Sequence, residues 1–384
     1  MNGGPMDRER LTPNPARRRG LRMAAVLAVG AGLTLSACGG ATKQSAASAV
    51  GSAAAQLGRS SSLSVQVSLD VTPQQAQTLS TQGGSTLTTA EATALSNGHL
   101  FFTVQTGHGE GVDSSQAVTD PNNAYDLGLE IGTSKPVEIQ YNHQNLYVRA
   151  DLAQLFQDVG QDPSKAASFQ KELATLNNTV PGISDLGAGK WVEVTSSSLS
   201  AIGGLLKQAA ASGGAAQPSA SQVQATLAQL RTALASSLQS NSTYSSQGTS
   251  GGRSEYRDTV NLHGFLASFG QAVQTDLGSV PLVGPQISSG VSKLEGRVPA
   301  GRTGTAEVFV SGDKLSEVDV DLNQFATHPV KFPVPLKVTF SSPPALLAPP
   351  TATPLDLSQL PALLQQLITG HLAPKTSTSG GAAQ

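Results

Sequence analysis

Apolar and polar residues alternate with a period of two in short runs along most of this chain. In SVQVSLDV (64–71), Val65, Val67, Leu69 and Val71 fall on one side, and Ser64, Gln66, Ser68 and Asp70 on the other. That is the period of a strand with one face on a core. It returns in Leu100, Phe102 and Val104, in Leu127, Leu129 and Ile131, in Val137, Ile139 and Tyr141, and in Leu146 and Val148. Residues 191–194 and 256–260 carry two further copies. The last three put Ala306, Val308 and Val310, then Val318, Val320 and Leu322, then Leu336, Val338 and Phe340 on one side. About ten such strands with one polar face predict an antiparallel sheet, because parallel strands covered on both faces read as unbroken apolar runs. SGDK (311–314) predicts a tight hairpin with Gly312 at positive φ, and NHQN (142–145) joins two earlier strands.

Helical spacing interrupts the alternation. The alanine-rich run 45–57 predicts a first helix. Val223, Leu227, Leu230, Leu234 and Leu238 make one apolar stripe. Leu262, Phe265, Leu266, Phe269, Val273 and Leu277 make a second, and Leu357, Leu360, Leu363, Leu364 and Leu367 a third. Strands pass into helices at VRADLAQLF (148–156) and TVNLHGFLASF (259–269), where Asp151 and Asn261 stand as N-caps, and into a single turn at Asp321. GKWVEVTSSSLSAIGGLL (189–206) is a further variant, with serine caps. Residues 211–222, 240–252 and 373–384 are low in complexity and predict loops and a disordered tail. Sheet-type strands lie on both sides of the helical insert, so residues 45–372 are expected to form a single α+β domain.

The N-terminus follows a different logic. ARRRGLR (16–22) is basic, MAAVLAVGAGLTL (23–35) is uncharged, and Ser36 and Ala37 precede Cys38, the one cysteine of the chain. A basic segment, a short apolar segment and small residues make a secretory signal over 1–37. Thirteen uncharged residues are too few for a bilayer span, which takes about 20. The stretch LSAC resembles the lipobox of bacterial lipoproteins, in which the chain is cut before the cysteine and its thiol is diacylglycerylated. The resemblance implies a mature chain starting at Cys38, a tether over 38–44, and a protein held by acyl chains on the outer face of the cell membrane.

Past the signal, 18 basic and 24 acidic residues remain, with no basic cluster, which excludes nucleic acid as the expected partner. Acylation of Cys38 would leave no thiol for a disulfide, a metal or nucleophilic catalysis. Catalytic patterns fail on context. GTSGG (248–252) matches G-x-S-x-G, but a nucleophile elbow needs a helix after it, and here a strand follows. SGDK matches S-x-x-K but reads as a hairpin. DVDLNQ (319–324) begins like a calcium loop and fails at Gln324 and Val330. Glu317, Asp319 and Asp321 read as the solvent side of a strand. GHGEG (107–111) lacks the glycine order of a phosphate loop, and the six histidines show no H-x-x-x-H or H-x-H spacing. The expectation is therefore a non-enzymatic monomer without cofactor or metal.

The order of these segments carries a family likeness. SLSVQVSLDV after an alanine-rich helix, LYVRADLAQL, GKWVEV before a helix, and TAEVFVSGDKLSEVDVDL before PLKVTFSSPPALLAPP resemble the actinobacterial LppX/LprG-type lipoproteins and their LolA-like relatives across about 60–345. The resemblance implies a half-barrel of about eleven antiparallel strands, helices over its concave face, and a cavity for acyl chains, lipoproteins or glycolipids. The helices near 218–240 and 356–370 depart from that pattern as additions. On this reading Val65, Val67, Leu69, Leu100, Phe102, Leu127, Leu129, Val137, Ile139, Val308, Val318 and Val338 line the cavity. The alternative is a structural or interaction lipoprotein with a filled core and no ligand.

Overall fold

The computed structural model describes residues 45–114, 120, 122–142, 145–194, 198, 220–277, 284–326, 329–343 and 345–357. The signal segment 1–37, Cys38, the tether, the serine-capped segment after Val194 apart from Ser198, and the C-terminal leucine stripe beyond Leu357 lie outside the described residues. The twelve strands form one sheet, mostly antiparallel and open, in the order β12-β6-β5-β4-β3-β2-β1-β11-β10-β9-β8-β7. Their ranges are β1 Ser62–Leu69, β2 Gly98–Gln105, β3 Ala124–Ile131, β4 Ser134–Asn142, β5 Asn145–Ala150 and β6 Val192–Val194. The rest are β7 Ser242–Ser250, β8 Arg253–Asn261, β9 Thr303–Ser311, β10 Lys314–Asp321, β11 Pro335–Ser341 and β12 Thr353–Leu355. β1 sits mid-sheet. The chain lays β2 to β6 outward on one side, restarts at the far edge with β7, and returns through β11 to β1.

All ten alternating runs are strands. The expected hairpin at 311–314 forms, with Gly312 at φ 63°. Two strands carry no apolar alternation. β7 falls inside 240–252, expected as a loop. Its sequence STYSSQGTS is polar on both sides and mostly exposed, as suits an edge strand. It turns at Gly251 and Gly252 directly into β8, so Ser250 ends a strand in a hairpin. β12 is three residues long and pairs parallel with β6.

Among the described residues nine α-helices join the sheet: α1 Ala46–Gly58, α2 Pro73–Gln82, α3 Thr89–Asn97, α4 Leu152–Asp158, α5 Pro163–Leu176, α6 Ile183–Gly187, α7 Ala220–Asn241, α8 Leu262–Leu277 and α9 Gly284–Glu295. The expected caps are in place. Asp151 accepts from Gln154 N at 2.9 Å and Asn261 from Gly264 N at 3.1 Å. Asp321 opens a single 3-10 turn over Leu322–Phe325. α2 and α3 have no apolar stripe, and each is set by a capping box, Thr72 with Gln75 and Thr88 with Glu91.

The main core lies where α1 meets one face of the sheet. Val50, Ala53 and Leu57 pack on Val308, Val310, Leu315, Val318, Val338 and Phe340, with Val65 and Val67 beside them. A second cluster puts Val71, Ala76, Ala92, Val330 and Val334 under α2 and α3, with Leu69 at its margin. A third packs Ile183 and Leu186 of α6 on Val192, Val194, Leu146 and Val148.

The opposite face is mostly polar, with Phe101, Pro136 and Tyr147 buried on it. Residues 345–352 cross it towards β12 as a strap. Ser62 Oγ donates to Pro343 O at 3.5 Å, Gln105 Oε1 accepts from Leu346 N at 2.7 Å, and Asn142 Nδ2 donates to Leu346 O at 3.2 Å. Asp126 is buried on this face, and its carboxyl is held above the usual range by burial and by the neighbouring Glu138 charge. Glu317 and Asp319 differ from the expected solvated row. Lys337 Nζ lies 3.3 Å from Asp70, 3.5 Å from Glu317 and 4.0 Å from Asp319, and Arg253 lies 3.0 Å from Glu317. A sheet face with basic residues on adjacent strands gathers its acids into such a network.

Candidate functional site: an apolar cavity and an open sheet face

Cross-strand registration turns the alternating positions into rows. Val308, Val318, Val338, Val67, Leu100, Leu129 and Val137 stand opposite one another in succession from β9 to β4. The adjacent row runs through Phe340, Val65, Phe102, Leu127, Ile139, Val148 and Val192. Eleven of the twelve cavity positions expected from sequence therefore sit in two neighbouring rows of one face. Leu69 is on the same face, opposite Leu336. With adjacent strands about 4.8 Å apart, the first row is about 29 Å long.

Coverage along these rows is uneven. Over β7 to β11 the face lies under α1, α7 and α8, and a cavity of about 170 Å³ remains there. Its wall includes Val308, Val318 and Val338 from the sheet, Val50 from α1, Leu238 from α7, and Leu262 and Phe265 from α8. Phe325 closes one side from the 3-10 turn, over Gly304, where an added Cβ would come within 2.9 Å of the Phe325 ring. At β5 and β6 the face is covered by α6. Between these two covered regions, over β2 to β4, it is open. Leu100 is 43 % exposed, Phe102 41 %, Leu127 47 % and Ile139 39 %. Phe102, Tyr125 and Tyr141 form an aromatic ladder across this opening, with ring centroids 6.4 and 6.1 Å apart. Four large apolar side chains grouped and exposed on one sheet face depart from the scattered exposure of ordinary surfaces.

The cavity wall carries one carboxyl, Asp258 of β8. It stands opposite Tyr244 and accepts from Ser242 Oγ at 3.3 Å. Burial raises its pKa to about 6 against the pull of the Ser242 and Tyr244 hydroxyls, and burial together with the Asp258 charge pushes the Tyr244 phenol up as well. The strand alternation of 256–260 puts Asp258 on the apolar side, a signal present in the sequence. The helical members of the wall carried none beyond their stripes, because which helix faces which strand is a tertiary fact.

Ser250 stands opposite Arg253 in a hairpin that offers no elbow. His99 lies 3.4 Å from Glu130, and His263 Nδ1 lies 3.1 Å from Val298 O. The β2–β3 loop brings His108, Glu110 and Asp120 together, which the linear spacing did not reveal. No helix among the described residues is long and apolar enough to cross a membrane. No family model and no curated protein sequence matches the chain.

Proposed function

We propose that this chain is a cell-envelope lipoprotein that binds or carries a lipid, its acyl part lying along the apolar face between sheet and helices. On this reading the sheet is a half-barrel of the LppX/LprG and LolA-like kind, with helices over its concave face. The diacylglyceryl group on Cys38 holds it outside the cell, on the outer face of the membrane. It works as a monomer, by binding alone, without a catalytic group or cofactor.

The observation that carries this reading is the continuity of one apolar face from a partly covered cavity to an open stretch. A cavity of about 170 Å³ is of the size that stays dry when lined by aliphatic and aromatic groups and takes up small apolar molecules. It is too small for a whole lipid. An acyl chain in a bilayer leaflet spans about 15 Å, half the hydrocarbon thickness. The apolar row is longer than that, so a chain that enters the cavity can continue over Val67 and Leu100. Burial at about 25 cal/mol per Å² supplies the affinity without specific polar groups. Asp258 is placed to meet a hydroxyl or cationic group of such a ligand.

The test is binding of a fluorescent fatty acid to the chain and to Phe102→Asp and Leu127→Asp variants. Both side chains are more than 40 % exposed, so the folded state tolerates the charge, while the ligand would have to bury it. The expected result is wild-type binding weakened about tenfold or more in each variant. Absence of binding in the wild type, or unchanged affinity in both variants, contradicts the proposal and favours an interaction lipoprotein with a filled core.

A further inference from the structure

We propose that His108, Glu110 and Asp120, which lie between β2 and β3, form a binding site for a zinc-class divalent cation as its protein ligands. One ring nitrogen of His108 and one carboxylate oxygen each of Glu110 and Asp120 lie within 4.8 Å of one another. Tetrahedral ligands bound at about 2.1 Å to one ion stand about 3.4 Å apart, so the His108–Asp120 pair, 2.6 Å apart, opens and the wider separations close as the ion binds.

The two arms of the loop are fixed from outside the cluster. Thr106 Oγ1 donates to Glu110 O at 2.7 Å and to Ser61 O at 3.2 Å, and Gly107 N donates to Asn123 Oδ1 at 3.0 Å. Asp120 Oδ1 accepts from Asn122 N at 2.9 Å, which turns Oδ2 towards His108 Nδ1, 2.6 Å away. The Asp120 side chain is only 7 % exposed, whereas His108 is 65 % exposed and leaves the ion a path from solvent.

A separate observation favours a cation beside Glu110. Glu110 Oε2 is buried and has no hydrogen-bond partner among the described residues. A carboxylate oxygen removed from water without a donor is costly, and a bound cation removes that cost. The donor set selects the class of ion. One imidazole with two carboxylates suits zinc and manganese, while calcium takes oxygen ligands only. Three protein ligands leave at least one position for water or a further ligand.

The experiment titrates Zn²⁺ into the protein purified in mild detergent by calorimetry, and Co²⁺ followed by visible absorption. The expected result is one equivalent of Zn²⁺ bound, with affinity reduced about tenfold or more in His108→Ala and in Glu110→Gln, and unchanged in His263→Ala. Co²⁺ bands should appear in the wild type and vanish in His108→Ala. Circular dichroism of each variant separates loss of ligand from loss of fold. The wild-type Co²⁺ spectrum tests the site without any substitution. No saturable Zn²⁺ binding up to about 1 mM, no Co²⁺ bands in the wild type, or wild-type affinity in both ligand variants overturns the proposal.

Discussion

Asp258 shows what a single residue can reveal about the site. Its carboxyl sits in an apolar wall and titrates near 6 in the folded chain, against an ordinary value of 3.8. Below pH 3.8 it is protonated in both states and carries no penalty. As pH rises through about 6, the unfolded chain has already released the proton that the folded chain must still give up, so stability falls. Asp258→Asn removes this term. Denaturant unfolding should show the variant gaining about 1–3 kcal/mol relative to wild type between pH 4 and pH 8. A wild-type-to-variant difference that is flat across that range would contradict the buried placement. The residue was legible as an acid on the apolar side of an alternating strand. Its role in the wall was not, since Leu262 and Phe265 reach it from a different element.

At the scale of elements, the covered and open parts of the sheet should respond differently to truncation. Leu315 of β10 is 1 % exposed in the cluster under α1, and Leu127 of β3 is 47 % exposed. Leu315→Ala is expected to lower unfolding free energy by about 2–5 kcal/mol. Leu127→Ala should lie within about 0.5 kcal/mol of wild type, as surface substitutions do. Equal losses measured by denaturant midpoints would mean that β3 is as tightly covered as β10. The same distinction explains which elements could be read in advance. Alternation marks strands with one apolar face, and all ten such runs are present. β7 escaped because an exposed edge strand of serine, threonine and glycine has no apolar side to alternate. α2, α3 and α5 lack strong stripes, but T-P-Q-Q at 72–75, T-T-A-E at 88–91 and Asp162 before Pro163 were start signals in plain view.

Across the whole molecule, a twelve-stranded sheet that begins at its own centre leaves its apolar face to be covered by helices inserted at different points of the chain. α1, α7 and α8 cover one flank and α6 the other, and β2 to β4 stay open between them. The rows that make this face were readable from period two alone. The gap was not, because coverage depends on where helices dock, and the His108 loop likewise joins residues twelve positions apart only after folding. A lipid-binding account makes the open stretch the exit of a continuous apolar path rather than a defect of packing. Native mass spectrometry of the protein, extracted from its own membrane in mild detergent, tests that account most directly, because one spectrum reads both the acyl mass on Cys38 and any bound lipid. The account predicts a mature chain starting at an acylated Cys38, accompanied by a discrete adduct of lipid mass that is lost in Phe102→Asp. An acylated chain with no adduct, or an adduct equally abundant in Phe102→Asp, would contradict it.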